Sequence, residues 1–158
     1  GGGLGVPDKV GGHAFDIAAL DTSLLEFKQR LPGVELWLEP GRFVVAEAGV
    51  LLARVTQLKA KGEAAFVGVA TGMNSLIRPA LYGAHHDIVN LSRLGADPLA
   101  VFDVVGPICE TGDVLGHDRT LPAATQEGDV LLIATAGAYG ASMASHYNLC
   151  PPAAEILL

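Results

Sequence analysis

The sequence is short of thiols. Its only cysteines are Cys109 and Cys150. Two thiols do not make a disulfide scaffold, and they suit a reducing cytoplasm. Long apolar runs are missing as well: none approaches the roughly 18 residues of a membrane span. Basic residues are scarce, with 10 Lys+Arg against 17 Asp+Glu and a formal net charge of −7. With no Lys/Arg cluster, that balance argues against nucleic acid or an anionic membrane as partner. The N-terminus has no basic region leading into an apolar stretch, so no signal peptide is expected. No internal repeat or low-complexity run appears. What is plentiful is core material. Half of the 158 residues are hydrophobic. A chain of this length buries roughly 70% of its unfolded surface. That is one domain, or one domain with a piece of another.

The chain opens Gly1-Gly2-Gly3-Leu4-Gly5, without a methionine or a strand before the glycines. It therefore reads as the back part of something longer. Asp21-Thr22-Ser23 precedes Leu24, Phe27 and Leu31, and Ser23 with Glu26 fits a capping box. A helix of about ten residues is expected there, stopped by Pro32-Gly33. A short strand is expected at 34–38. Glycine loop, helix, strand is the order of an α/β barrel or sheet. After Arg42 the texture changes to short β-branched runs punctuated by Gly and Pro. Strands are expected at 43–47, 50–59, 64–70, 87–91, 99–105, 129–134 and 154–158, the spacing of an antiparallel barrel or sandwich. The composition thus divides the chain at 42/43.

Several motifs carry chemistry. Gly1-Gly2-Gly3-Leu4-Gly5 presents consecutive backbone N–H groups with no Cβ in the way, which suits either a phosphate cradle or a tight turn. It is neither G-x-G-x-x-G nor a P-loop. Glu39-Pro40-Gly41-Arg42 follows the strand expected at 34–38, where barrel enzymes place functional residues. Arg78 and Tyr82 stand four apart in Arg78-Pro79-Ala80-Leu81-Tyr82, and both side chains can bind a carboxylate. Pro107-Ile108-Cys109-Glu110-Thr111-Gly112-Asp113 sets a thiol beside a carboxylate at a loop edge, and an accessible thiol can donate a proton or attack. Gly137-Ala138-Tyr139-Gly140 puts an aromatic on a loop expected to be flexible. His85-His86 sit on opposite faces if extended, and the other histidines are scattered, so no metal site is expected.

Taken in order, these motifs resemble the diaminopimelate decarboxylases, pyridoxal-phosphate (PLP) enzymes of the alanine-racemase-like fold type. The resemblance rests on GGGLGVPD (1–8), EPGR (39–42), GMNSLIRPALYGA (72–84), GPICETGDVLG (106–116), GAYGASM (137–143) and YNLCPPAAEILL (147–158). Together they cover nearly the whole chain. The wording GMNSLIRPALYGAHH looks most like the form fused behind an aspartate kinase. The resemblance implies a mainly β chain with an α/β start. Residues 1–42 would be the end of an incomplete (β/α)8 barrel, and residues 43–158 an antiparallel β-barrel or sandwich domain.

The resemblance also implies roles. Gly2, Gly3 and Gly41 would carry the PLP phosphate. Glu39 would face the pyridine nitrogen, with Pro40 and Arg42 completing that turn and Tyr139 packed near cofactor and substrate. Arg42, Arg78 and Tyr82 would hold the far carboxylate of meso-2,6-diaminopimelate, Glu110 its far ammonium, and Cys109 would give a proton to the carbanion carbon. The products would be L-lysine and CO2, the last step of lysine biosynthesis. A substrate without the far carboxylate would leave buried Arg unpaired, at a cost of roughly 3–5 kcal/mol. The implied assembly is a cytoplasmic homodimer, in which the loop bearing Cys109 and Glu110 reaches the other subunit's site.

The sequence departs from the family pattern at three points. The PLP lysine and the histidine that stacks on the ring would lie before Gly1, so the chain alone is expected to be inactive. Cys150 stands where the family has Arg in Y-N-x-R-P, and Ala70-Thr71 stand where D-A precedes GMN. Two other readings compete. One is a non-catalytic interaction module of the PLP fold, against which Cys109, Glu110, Arg78 and Tyr139 all speak. The other is a decarboxylase of the ornithine/arginine type, against which the R-P-A-L-Y carboxylate grip speaks.

Overall fold

The computed structural model describes residues 3–7, 9 and 11–158. Among these, six aliphatic runs pair into one sheet: β1 (Leu51–Lys61), β2 (Ala64–Val69), β3 (Ile88–Asn90), β4 (Leu99–Val105), β5 (Val114–Pro122) and β6 (Val130–Ile133). Their order is β3-β6-β1-β2-β4-β5. The first connection is a tight hairpin, with Lys61 opposite Ala64 and Gly62 supplying a left-handed φ of 62°. Side chains alternate across the strands. On β1, Ala53 and Val55 are buried while Leu52 and Arg54 face out. The inward set includes Val67, Val104, Leu115, Leu131 and Ile133, all fully buried. It forms one core.

The two edge strands turn toward each other. Arg119 of β5 donates from Nη1 to His85 Nδ1 at 2.9 Å, just ahead of β3. His85 Nε2 then lies 2.9 Å from Asp87 Oδ1. The sheet is thus rolled into a nearly closed barrel, which leaves little edge unpaired. Burial of the Arg119 guanidinium lowers its affinity for the proton, against the opposing pull of Asp87, Asp118 and Asp103. Arg119 also folds back over β5: a Cβ on Gly116 would lie 2.2 Å from its Nε.

Before the barrel come helix α1 (Ile17–Arg30), the short helix α2 (Gly41–Val45) and a 3-10 turn at Ala46–Ala48. A further short helix, α3 (Arg78–Tyr82), lies between β2 and β3. Val6, Phe43, Ala46 and Ala138 pack together, and Phe15 meets Phe43 edge to face at 6.3 Å. This small cluster joins the leading segment to the sheet.

Several expectations are corrected. α1 starts earlier than the capping box indicated, with Asp16 as its N-cap accepting from Ala19 N at 2.9 Å. Thr22 and Ser23 are mid-helix and donate back to Ala18 O and Ala19 O. The strong helix formers at 18–20 carry the helix upstream of the second Asp/Ser signal. It ends before Pro32-Gly33 as expected. Residues 34–38 are not a strand, since no described strand pairs with them. Residues 43–47 are helical: Val44 N donates to Pro40 O at 3.1 Å, closing a turn against the strand preference of Val44-Val45. Residues 154–158 are irregular and exposed. β5 was missed altogether, because Gly116-His117-Asp118 interrupts its apolar run. Asp118 there has φ 52°. Its N–H and His117 Nδ1 both bind the Asp103 carboxylate. Nor is the sheet purely antiparallel: β2 and β4 run parallel, Val67 opposite Val104.

One buried polar cluster closes the far end. Asp129 Oδ2 accepts from Arg93 Nε at 2.6 Å, Asn90 Nδ2 at 2.9 Å and Gln126 N at 3.0 Å. Burial opposes the charge on Asp129, but these donors outweigh it and hold the carboxyl below its ordinary value of 3.8. A carboxyl with a depressed folded value contributes stability that is present above its unfolded value. That contribution is lost as pH falls through the folded value. Asp129→Asn should therefore lose about 1–3 kcal/mol at neutral pH, by leaving Arg93 and the Gln126 N–H short of an acceptor. The variant should also lose less than the parent on acidification, because only the parent has a carboxylate to be protonated as pH falls through its depressed folded value. Thermal melts across pH check both statements.

Candidate active site

The cleft that gathers the motifs is built on backbone contact. Gly137 lies against the end of α2, where a Cβ would sit 2.0 Å from Val45 O and 2.7 Å from Gly49 N. A Cβ on Gly49 would in turn meet Gly137 Cα at 2.6 Å. Two hydrogen bonds pin the same place: Gly137 N to Ala46 O at 3.0 Å and Ala136 N to Gly49 O at 2.8 Å. The glycines serve this close approach, which fixes a loop expected to be flexible. Above it opens a cleft of about 630 Å³, walled by Glu39, Pro40, Gly41 and Arg42 on one side and by Ala138, Tyr139 and Ser142 on the other.

Tyr139 is the hinge of the arrangement. Its backbone has φ 59°, an uncommon conformation for a bulky residue and one worth noting at a site. Its ring is partly exposed, and the Arg78 guanidinium carbon lies 5.8 Å from its centroid. That is cation–π range, and the attraction strengthens when the cation is desolvated. Arg78 is only 8% exposed. α3 carries Arg78 in its first turn beside Pro79 and stops at Gly83, whose φ of 63° makes a left-handed cap. Tyr82, four residues on, falls on the same helical side and is exposed.

The structure therefore brings Glu39, Pro40, Gly41, Arg42 and Tyr139 together around the cleft, and Arg78, which does not line it, joins the set only through the Tyr139 ring. It does not bring the rest into the cleft. Cys109 and Glu110 are exposed on the loop between β4 and β5. Glu110 Oε2 accepts from Tyr147 Oη at 3.4 Å. Gly3 has a left-handed φ of 113° and does not line the cleft, and Gly2 lies outside the described residues. None of the four lysines lines it either.

Three groups escaped the sequence reading. Gly49 and Gly137 form the backbone contact just described. Asn74 takes Gly72 N on its Oδ1 and gives its Nδ2 hydrogens to Cys150 O and Pro151 O. Asp113, 3% exposed, accepts from Met73 N and Ile108 N. The available signal was a pair of glycines, Gly72 and Gly106, each opening a polar turn.

Residues 42–137 match the family described as pyridoxal-dependent decarboxylase, C-terminal sheet domain. The chain belongs to that family. The diaminopimelate decarboxylase of Haemophilus influenzae is 47% identical over 160 residues, covering 100% of this chain and 37% of that protein. Among solved structures, AQ1208 from Aquifex aeolicus superposes with a TM-score of 0.92 at 41% identity, over 99% of this chain and 38% of that one. Diaminopimelate decarboxylase from Helicobacter pylori, complexed with L-lysine, gives 0.82 at 37% identity, over 96% of this chain and 36% of that one. The chain thus spans well under half the length of the proteins it matches.

The cleft fits a phosphorylated pyridine. Gly41 has no heavy atom within 4 Å of its Cβ position, which leaves its backbone open to an anion. A carboxylate, a guanidinium and an aromatic face stand around it. The shape depends on the glycine contact. Gly137→Ala should cost about 1–3 kcal/mol through overpacking against Val45 O. A lowered melting temperature would show it, and an unchanged one would mean the contact is slack.

Proposed function

We propose that the protein to which this chain belongs decarboxylates meso-2,6-diaminopimelate to L-lysine and CO2, with PLP as its cofactor, in the lysine biosynthesis of a bacterial or archaeal cytoplasm. Residues 1–42 are the end of the cofactor-bearing (β/α)8 barrel in this reading, and residues 43–158 the C-terminal β domain. The observation that carries the reading is the nearly buried Arg78 over the ring of Tyr139, the residue that walls the cleft opposite the Glu39–Arg42 turn. A guanidinium held over an aromatic face and largely out of water keeps a planar fork of N–H donors, which suits a ligand that brings a carboxylate.

Gly41 would take the phosphate of PLP. Glu39 would face its ring nitrogen, and Tyr139 and Arg42 would line its surroundings. When bound, PLP supplies the electron sink that stabilises the carbanion left by CO2. The chain's own residues do the rest. Arg42, Arg78 and Tyr82 bind the far carboxylate, and Glu110 binds the far ammonium, so the substrate presents one end only. The C–CO2 electron pair stays on the α carbon, which takes a proton from Cys109 Sγ; the thiolate is reprotonated from water. Exposed Cys109 and Glu110 meet the site of a second copy, which makes the working form a homodimer. No described helix is long and apolar enough to cross a membrane.

Substrate comparison with the full-length protein tests the reading. CO2 release should favour meso-diaminopimelate over L-lysine and L-ornithine by at least about a hundredfold in kcat/KM, the discrimination of a site built to bind a polar group against analogues that lack it. Equal turnover of all three would sink the carboxylate assignment. Cys109→Ala should lower kcat by about 10²–10⁴, the usual contribution of a positioned proton donor. Arg78→Lys should act mainly on KM, because an ammonium cannot reproduce the planar two-pronged grip.

A further inference from the structure

The loop between β4 and β5 and the turn after β2 are remote in sequence, yet one carboxylate holds them together. Asp113 Oδ1 accepts from Met73 N at 2.6 Å, and its Oδ2 accepts from Ile108 N at 2.7 Å. Both are charge-assisted bonds to backbone, shielded from water by the burial of Asp113. The backbone closes the same loop, since Gly106 N donates to Asp113 O at 2.9 Å and Asp113 N to Glu110 O at 3.1 Å.

The carboxylate fits because two glycines make room for it. A Cβ on Gly72 would lie 2.2 Å from Asp113 Oδ1, and one on Gly106 would lie 2.3 Å from Oδ2. The two glycines also face one another, with the Cβ position of Gly106 2.5 Å from Gly72 Cα. Nothing larger than hydrogen fits at either place without moving the acid. The Gly72 turn is itself tied down, by Ser75 N and Leu76 N to Gly72 O and by Asn74 to the carbonyls of Cys150 and Pro151.

What hangs from each end is unequal in burial. Ile108, whose N–H is held, is buried, and the next two residues are the exposed Cys109 and Glu110. On the other side, Met73 is followed within one turn by Leu76, fully buried, and then by Arg78 at the head of α3. The acid therefore stands between the thiol loop and the guanidinium turn.

We propose that Asp113 is a positioning residue that sets the spacing between the loop bearing Cys109 and Glu110 and the turn bearing Arg78 and Tyr82. This rests on the roles given to those four residues above. It adds that proton delivery and carboxylate binding are mechanically linked through one buried acid. In a homodimer the loop serves the site of the second copy and the turn serves its own, so loosening the tie disturbs both.

The test uses full-length protein. In Asp113→Asn one oxygen becomes an NH2 facing an N–H donor, so one of the two bonds is lost with little change of shape. Turnover of meso-diaminopimelate should show kcat falling and KM rising together, each by about tenfold, with Asp113→Ala worse on both. A role confined to stability would lower the active fraction, and with it kcat, but leave KM in place. Hydrogen exchange of the cofactor-free protein gives an independent readout. Peptides covering 72–77 and 106–113 should exchange at least tenfold faster in Asp113→Asn, with β1 and β6 unchanged. Cys109→Ala, run alongside, separates the two levels. If it keeps full activity, the assignment of the proton donor fails. If it is inactive while Asp113→Asn keeps the parent's KM and exchange, the positioning role alone is overturned. Should Asp113→Asn not fold, the parent still decides. Slow exchange at Met73 and Ile108, matching the β6 core, supports the tie, and rapid exchange there overturns it.

Discussion

The site depends on a place where two stretches of backbone touch without side chains between them. Gly137 rests on Val45 O and Gly49, and the hydrogen bonds from Gly137 N and Ala136 N run along the same line. Through that contact the sheet domain meets the Glu39–Arg42 turn. The cleft wall bearing Tyr139 is thereby set against the wall bearing Arg42. Side-chain packing tolerates small adjustment; backbone on backbone does not, because there is no rotamer to change. The aromatic that stacks on Arg78 thus inherits its position from residues with no functional groups of their own.

A second theme is how the barrel deals with its buried polar groups. Asp129 gathers a guanidinium, an amide and a backbone N–H. Asp113 and Asn74 are satisfied by main-chain groups of distant loops. Buried polar atoms with partners lend direction to a fold, since each bond has a required geometry where apolar contact has none. Asp129 works at the far end and steadies the barrel. Asp113 and Asn74 work where the motif loops leave the sheet.

The sheet was largely legible in the sequence. The runs at 50–59, 64–70, 87–91, 99–105 and 129–134 are strands within a residue or two, because a half-buried strand writes its own alternation. β5 was hidden because its polar middle, His117-Asp118, serves Asp103 on the neighbouring strand, a tertiary reason invisible along the chain. Residues 43–47 misled for the opposite reason. Val44 and Val45 favour a strand, but with no strand to pair with, the turn begun at Pro40 wins. The motif residues around the cleft were readable as chemistry. Gly137 read as freedom when it is a close contact, and Asp113 read as a polar turn when it is a buried acid. Distance between remote residues decides both, and no local pattern encodes it.

The one parallel pairing among the described strands, β2 beside β4, decides where Arg78 and Tyr82 can sit. Two neighbours running the same way cannot be joined by a hairpin, so the chain must make a return journey between them. Arg78 and Tyr82 ride on that return journey rather than on the strands themselves. The helix that carries Arg78 and Tyr82 is thus an excursion from the barrel, hung between fixed points. Its sequence can change while the ladder beneath keeps its register.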